Sequence, residues 1–133
     1  MKTIIFRLKP GADLKSSIEA TIKQHNVHAG FIITCVGGLT QAVVRMAGAT
    51  PDSQDIRTFK DDFEIVSLVG TISVNGTHLH MSFSDNDGIV HGGHLKEGTI
   101  IHPTAEIVIG IDEDIQMNRE FDQETGFDEL VVS

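Results

Sequence analysis

Four of the seven histidines fall within one stretch, Thr77 to Leu95, which reads THLHMSFSDNDGIVHGGHL. Imidazole titrates near neutral pH, shuttles protons and is the commonest metal ligand, so a cluster of this kind is where chemistry is expected. Residues Thr77 to Ser84 alternate strictly, which argues a half-buried strand: Leu79, Met81 and Phe83 face one way, while His78, His80, Ser82 and Ser84 face the other. The turn-rich Asp85-Asn86-Asp87-Gly88 reverses the chain, and the return segment Ile89 to Leu95 brings His91 and His94 back towards the first pair.

Zinc binds imidazole nitrogen at about 2.0–2.1 Å, and an H-x-H pair on one strand face plus a third His from the next strand makes a three-ligand site with one open position. His78, His80 and His94 are the expected ligands, with His91 in reserve. Gly92-Gly93 fits beside them because residues without a Cβ let a backbone or a ligand come close. A metal ion held by three imidazoles with a position open for water also lowers the pKa of that water to about 7, in which case Glu106 or Glu97 is a candidate general base. The alternative is a set of solvated or hydrogen-bonded strand histidines.

The elements that must position these groups follow from the flanking pattern. Met1 to Leu8 reads as a strand ended by Lys9-Pro10-Gly11, and Asp13 as the N-cap of a helix running to about His25. Leu14, Ile18 and Ile22, joined by Thr21, form its buried stripe, with Lys15, Glu19 and Lys23 outside. His25 and His28 fall at the helix end and the next loop, a structural place for a cation. Ala29 to Leu39 reads as a central strand closed by Gly37-Gly38, Gln41 to Ala47 as a strand with one wet face, and Gly48 to Lys60 as a loop. Arg45 and Arg57 read as solvated charges, with an anionic ligand as the alternative.

Phe63 to Val74 is a long strand pattern, and Asn75-Gly76 predicts a type I′ hairpin turn with positive φ that delivers His78 and His80. Glu97-Gly98 makes a turn, Thr99 to Ile101 a short strand, and Thr104 to Ile111 a last strand with Ala105, Ile107 and Ile109 on one face and Glu106 on the other. One helix and about seven strands joined by short turns give an α+β domain built on a largely antiparallel sheet. One helix leaves much of such a sheet uncovered, which favours a symmetric homo-oligomer.

The 133 residues suffice for one domain with its own core, and the single cysteine, Cys35, sits in an apolar run as a buried hydrophobe. No segment approaches the roughly 18 apolar residues of a membrane span, which points to a soluble, cytoplasmic protein. Most of the net charge of −9 lies in an acidic C-terminal segment, residues 112–133, expected to pack in part as a final strand and to fray at its extreme end. An acidic chain without clustered Lys and Arg, and without Tyr or Trp, is poorly made for nucleic acid.

Four stretches together carry a family resemblance: FIITCVGGLT at 31–40, FEIVSLVGTI at 63–72, HLHMSFSDNDG at 78–88 and GGHLKEGTII at 92–101. They resemble the PPC (plants and prokaryotes conserved) domain, from the first strand to Ile109. The resemblance implies an α+β domain that assembles as a homotrimer, and, for stand-alone prokaryotic members, a metal site at the residues matching His78, His80 and His94 with no settled reaction. Plant members carry a DNA-binding AT-hook ahead of the domain; this chain has no R-G-R-P hook, so a label of predicted DNA-binding protein rests on analogy. The plant partner-contact motif G-R-F-E-I-L is matched by Asp61-Asp62-Phe63-Glu64-Ile65-Val66, which keeps F-E-I and loses Gly-Arg.

Two functions stand first: a metal-carrying module that binds a small anionic ligand or regulates a partner, and a metal-dependent enzyme. A cupin-like oxygenase would need a Glu after three or four intervening residues beyond H-x-H, where Ser84 and Asp85 stand instead.

Overall fold

The computed structural model describes residues 1–133. Its strands are β1 (Lys2–Leu8), β2 (Ala29–Arg45), β3 (Ile56–Ser73), β4 (Gly76–Ser84), β5 (Val90–Leu95), β6 (Ile100–Ile111), β7 (Met117–Phe121) and β8 (Asp128–Val132), with one helix, α1 (Leu14–Gln24). The main sheet runs β1-β6-β2-β3-β4-β5, and all its pairings are antiparallel. The end of β2 also pairs with β5, through Val44↔Leu95 and Arg45↔His94, so β2, β3, β4 and β5 close on themselves. The α+β expectation holds, with eight strands where the pattern predicted about seven.

Asp13 caps α1 by accepting from the Ser16 N–H at 3.0 Å, and its other oxygen accepts from the Gly98 N–H at 2.7 Å. The cap thereby pins the helix to the β5–β6 turn, and Leu14, Ile18 and Ile22 enter the core as expected. There they meet Leu79, Met81 and Phe83 of β4 and Ala105, Ile107 and Ile109 of β6.

Four expectations about local structure are corrected. Gly37-Gly38 does not close β2, which continues for 17 residues to Arg45. The two glycines lie where β6 crosses closely: a Cβ on Gly38 would come 2.5 Å from the His102 carbonyl oxygen, and one on Gly37 would strike the Thr104 carbonyl. The register shifts there, which bends the strand without ending it. The loop after β2 is correspondingly short, because Arg57 to Lys60 already belong to β3 and pair with Gln41 to Val44. On the partner strand, Ile100 to Ile111 is one strand and not two; Pro103, which has no N–H to give, lies in the unpaired part of that irregularity.

The β3–β4 hairpin turns through Val74 and Asn75, and neither Asn75 nor Gly76 has positive φ. The turn is stitched from outside instead: the Asn75 carboxamide accepts from the Arg119 N–H at 2.8 Å and donates to the Arg119 carbonyl at 3.0 Å. Val74 N–H donates to the Met117 carbonyl at 2.9 Å. The acidic C-terminal segment thus forms a two-stranded sheet, β7–β8, docked on this turn, and its end is held because Gln116 and Ser133 exchange both backbone hydrogen bonds.

Candidate metal centre

Alternation on β4 turns His78 and His80 outward while Leu79, Met81 and Phe83 are buried. Antiparallel pairing sets His94 of β5 directly opposite His80, and Arg45 of β2 directly opposite His94. Gly92 and Gly93 permit this: a Cβ on Gly92 would come 2.6 Å from the Met81 carbonyl oxygen, and one on Gly93 would come 2.5 Å from that of Arg45. The close approach is by neighbouring backbone on both sides of β5, which is what threads His94 between β4 and β2.

One ring nitrogen from each of His78, His80 and His94 lies within 4.8 Å of the others. His78 Nε2 and His80 Nε2 are 3.2 Å apart, close to the edge of about 3.4 Å expected for a tetrahedron with metal–nitrogen bonds near 2.05 Å. Ligation needs neutral rings. Burial, reinforced by Arg45, Lys96 and the other two imidazoles, pushes His94 down to about 3, and burial together with His80 lowers His78. The close His78–His80 pair and the lowered His78 and His94 fit a transition ion.

His91 is three residues from His94, so it faces the other side of β5 and stands outside the cluster. Its ring stacks on Phe83 at 5.8 Å between centroids and its Nε2 lies 3.1 Å from Asp85 Oδ2. That hydrogen bond, with those from the Ile89 and Asp87 N–H groups, holds the Asp85 carboxyl below its ordinary range.

Beside the histidines runs a cleft of about 220 Å³ whose lining includes His78, His94, Arg119, Phe127, Asp128 and Glu129. Arg119 donates from Nη2 to Thr71 Oγ1 at 2.8 Å, and Thr71 is the cross-strand partner of His78. Arg45 Nη2 lies 3.4 Å from His94 Nδ1, and its guanidinium stands over the Phe127 ring at 5.4 Å from the centroid. The ion pairs of the molecule are Lys2–Glu113, Lys15–Glu19, Arg57–Asp55 and His91–Asp85, so neither Arg45 nor Arg119 is neutralised by a carboxylate.

Sequence reasoning placed the three histidines together and missed what surrounds them. Arg119, Phe127 and Glu129 come from the segment read as an acidic tail; the available signal was that Arg119 is the lone basic residue after position 110. Arg45, read as solvated, is half-buried against His94, whereas Arg57 is indeed an exposed charge paired with Asp55 at 2.7 Å. Glu97 is exposed in the β5–β6 turn and Glu106 is exposed on β6 opposite Arg7 and Val36; neither lines the cleft. His25 ends α1, His28 sits 3.3 Å from Asn26 Oδ1, and burial pushes the Cys35 thiol up to about 12, so it is no nucleophile. A wider groove of about 630 Å³ between β1 and the end of α1 contains His25 and His28 but none of the cluster.

The Plants and Prokaryotes Conserved (PCC) domain matches residues 1–111 of the chain. The bifunctional protein GlmU of a Synechococcus strain is 38% identical over 132 residues, 99% of this chain and 20% of that protein, so the chain spans about a fifth of the length of the curated relatives it matches. Among solved structures, a hypothetical protein from Salmonella superposes with a TM-score of 0.93 at 33% identity, covering 99% of this chain and 93% of that one. A metal-containing protein from Archaeoglobus fulgidus superposes with a TM-score of 0.81 at 25% identity, covering 98% and 94%. A protein from Bacteroides thetaiotaomicron described as a candidate DNA binder shares the fold at a TM-score of 0.84 and 23% identity, covering 97% and 91%.

Proposed function

The chain belongs to the Plants and Prokaryotes Conserved domain family, and from that premise we propose that it is a metal-carrying module that binds a small anionic ligand or regulates a partner. His78, His80 and His94 hold a divalent transition ion, zinc first among those that imidazole suits, and leave a coordination position open. The observation that carries this reading is the three-imidazole cluster, with one nitrogen of each ring within 4.8 Å of the others and the His78–His80 pair at 3.2 Å. The metal-containing relative from Archaeoglobus fulgidus supports it. That a domain of this kind forms a fifth of a bifunctional GlmU supports a unit that can be joined to other machinery.

The module acts as a homotrimer. Ile5 on β1, Phe31, Ile33 and Val36 on β2, and Val66 and Val69 on β3 stand exposed on the sheet, a surface that self-association would cover. Direct binding to duplex DNA is disfavoured by the net charge of −9. A metal-dependent enzyme is the second reading, favoured by one observation: Asp128 and Glu129 bring carboxylates to the cleft beside His78 and His94. The bound ion would supply Lewis acidity there.

Elemental analysis of untreated protein, run with sedimentation equilibrium, tests the proposal. One transition ion per subunit in a trimer is expected; a metal-free protein that takes up no zinc at neutral pH, or a stable monomer at micromolar concentration, overturns the corresponding half.

A further inference from the structure

We propose that the cleft between the β4–β5 histidines and the β7–β8 hairpin is a carboxylate-binding subsite, in which Arg45 and Arg119 clamp a small carboxylate whose carbon chain lies on Phe127. This rests on the metal reading for the open coordination position that the carboxylate faces, and the guanidinium pair stands independently of it.

Three observations converge. The two guanidiniums stand beside different histidines: Arg45 is the cross-strand neighbour of His94, and Arg119 is bonded to Thr71, the cross-strand neighbour of His78. Arg119 lines the cleft, whereas Arg45 stands behind its wall, against His94 and over Phe127; both are half-buried and neither has an acidic partner, although Asp128 and Glu129 line the cleft. A guanidinium carries five N–H donors in a planar fork suited to a carboxylate. Arg119 spends one side-chain donor, on Thr71, and Arg45 makes one long hydrogen bond, to His94, while its plane lies over Phe127.

Arg119 is also held from behind. Asn75 bonds both its backbone N–H and its carbonyl, so the side chain is aimed by the same turn that delivers His78. A side chain needed merely to cover the sheet would not require such fixing.

Charge and size select the ligand class. Two arginines against Asp128 and Glu129 roughly balance, and a divalent ion on the histidines leaves a surplus of positive charge that a bound anion relieves. The two acidic side chains at the rim oppose highly charged anions, which favours a carboxylate over a phosphate ester. The cleft of about 220 Å³ has room for on the order of seven waters, which suits a short carbon chain and excludes a nucleotide. Phe127, already under Arg45, supplies the apolar wall.

The test is calorimetric titration of zinc-treated and of chelator-treated protein with pyruvate and acetate, with pyruvamide as the uncharged control. The zinc-treated protein should bind a carboxylate at least tenfold more tightly than pyruvamide. Arg119→Gln and Arg45→Gln should each weaken carboxylate binding at least tenfold while metal content and circular dichroism stay at parent levels, and Arg119→Lys should recover part of the loss. In chelator-treated protein weaker binding should persist and should still be lost in Arg119→Gln. Failure of both carboxylates to bind either form, or equal binding by the glutamine variants, overturns the subsite. If the parent takes up no zinc, the metal reading fails alone, and the chelator-treated arm still decides whether the arginine pair binds carboxylate.

Discussion

His91 and His94 stand three residues apart on one short strand, and the fold puts them to opposite uses. His91 is turned to Phe59, Phe63 and Phe83, and its polar edge meets the carboxylate of Asp85. Its Nε2 is taken by Asp85 and its ring lies among phenylalanines, away from the other imidazoles. His94 is turned to His78, His80, Arg45 and Lys96, a ring of imidazoles and cations with no carboxylate bonded to it. The contrast teaches that residue type and proximity in sequence do not make a candidate ligand; a ring held neutral and brought beside two other imidazoles does.

The sharpest way to break this contrast is to remove one ring at a time. His94→Ala should lower zinc affinity by more than the roughly 10–100-fold that follows loss of an outer-shell contact, with His78→Ala and His80→Ala alike, while His91→Ala keeps parent metal content. Elemental analysis of the four variants reads this directly, and loss of metal from His91→Ala would dissolve the distinction.

Stability should run the other way. His91→Ala strips a stacked ring from the phenylalanine cluster and should cost about 1 kcal/mol in metal-free protein, seen as a lower denaturation midpoint. His94→Ala in the same metal-free state should cost less, since its neutral ring has no carboxylate partner and is not packed among phenylalanines.

A pH series sharpens the comparison further. His94 is lowered from 6.5 to about 3, so between those values the unfolded chain binds a proton that the folded chain refuses. Stability of the metal-free protein should therefore be full above about pH 6.5 and fall as pH drops through that window. Substituting His94→Gln should flatten the slope; an unchanged slope would place the acid sensitivity elsewhere.

The smallest effects should come from Glu97→Gln and Glu106→Gln. Both side chains are exposed and off the cleft, so metal content should hold and stability should move by less than about 0.5 kcal/mol. A large change in either quantity would mean that the site extends beyond the cleft.

Much of this was legible without coordinates because it depends on short-range periodicity. The two-residue repeat of β4 alone divides Leu79, Met81 and Phe83 from His78 and His80, and a reversal after Asp85 must return a neighbouring strand. The stripe Leu14-Ile18-Ile22 and the cap at Asp13 are equally local. Glycine punctuation misled where its cause was remote: Gly37-Gly38 looks like an ending, yet it answers to the backbone of β6, more than sixty residues later in the chain. Asn75-Gly76 likewise looks like a self-sufficient turn and is in fact held by Arg119.

What the sequence determined by itself is the pair of outward histidines on β4, the core beneath them and the family to which the chain belongs, since each follows from residue types at fixed near spacing. The sequence also favoured His94 over His91, but only the tertiary structure placed the one beside His80 and the other among phenylalanines, because register between β4 and β5 is set by the turn and by two glycines squeezed between backbones. It alone decided that Arg45 and Arg119 flank the site. Those contacts join positions 49 and 48 residues apart, Arg45 to His94 and Arg119 to Thr71, and arise from the pairing of β5 with the end of β2 and from docking of the last hairpin, neither of which leaves a periodic trace in the chain.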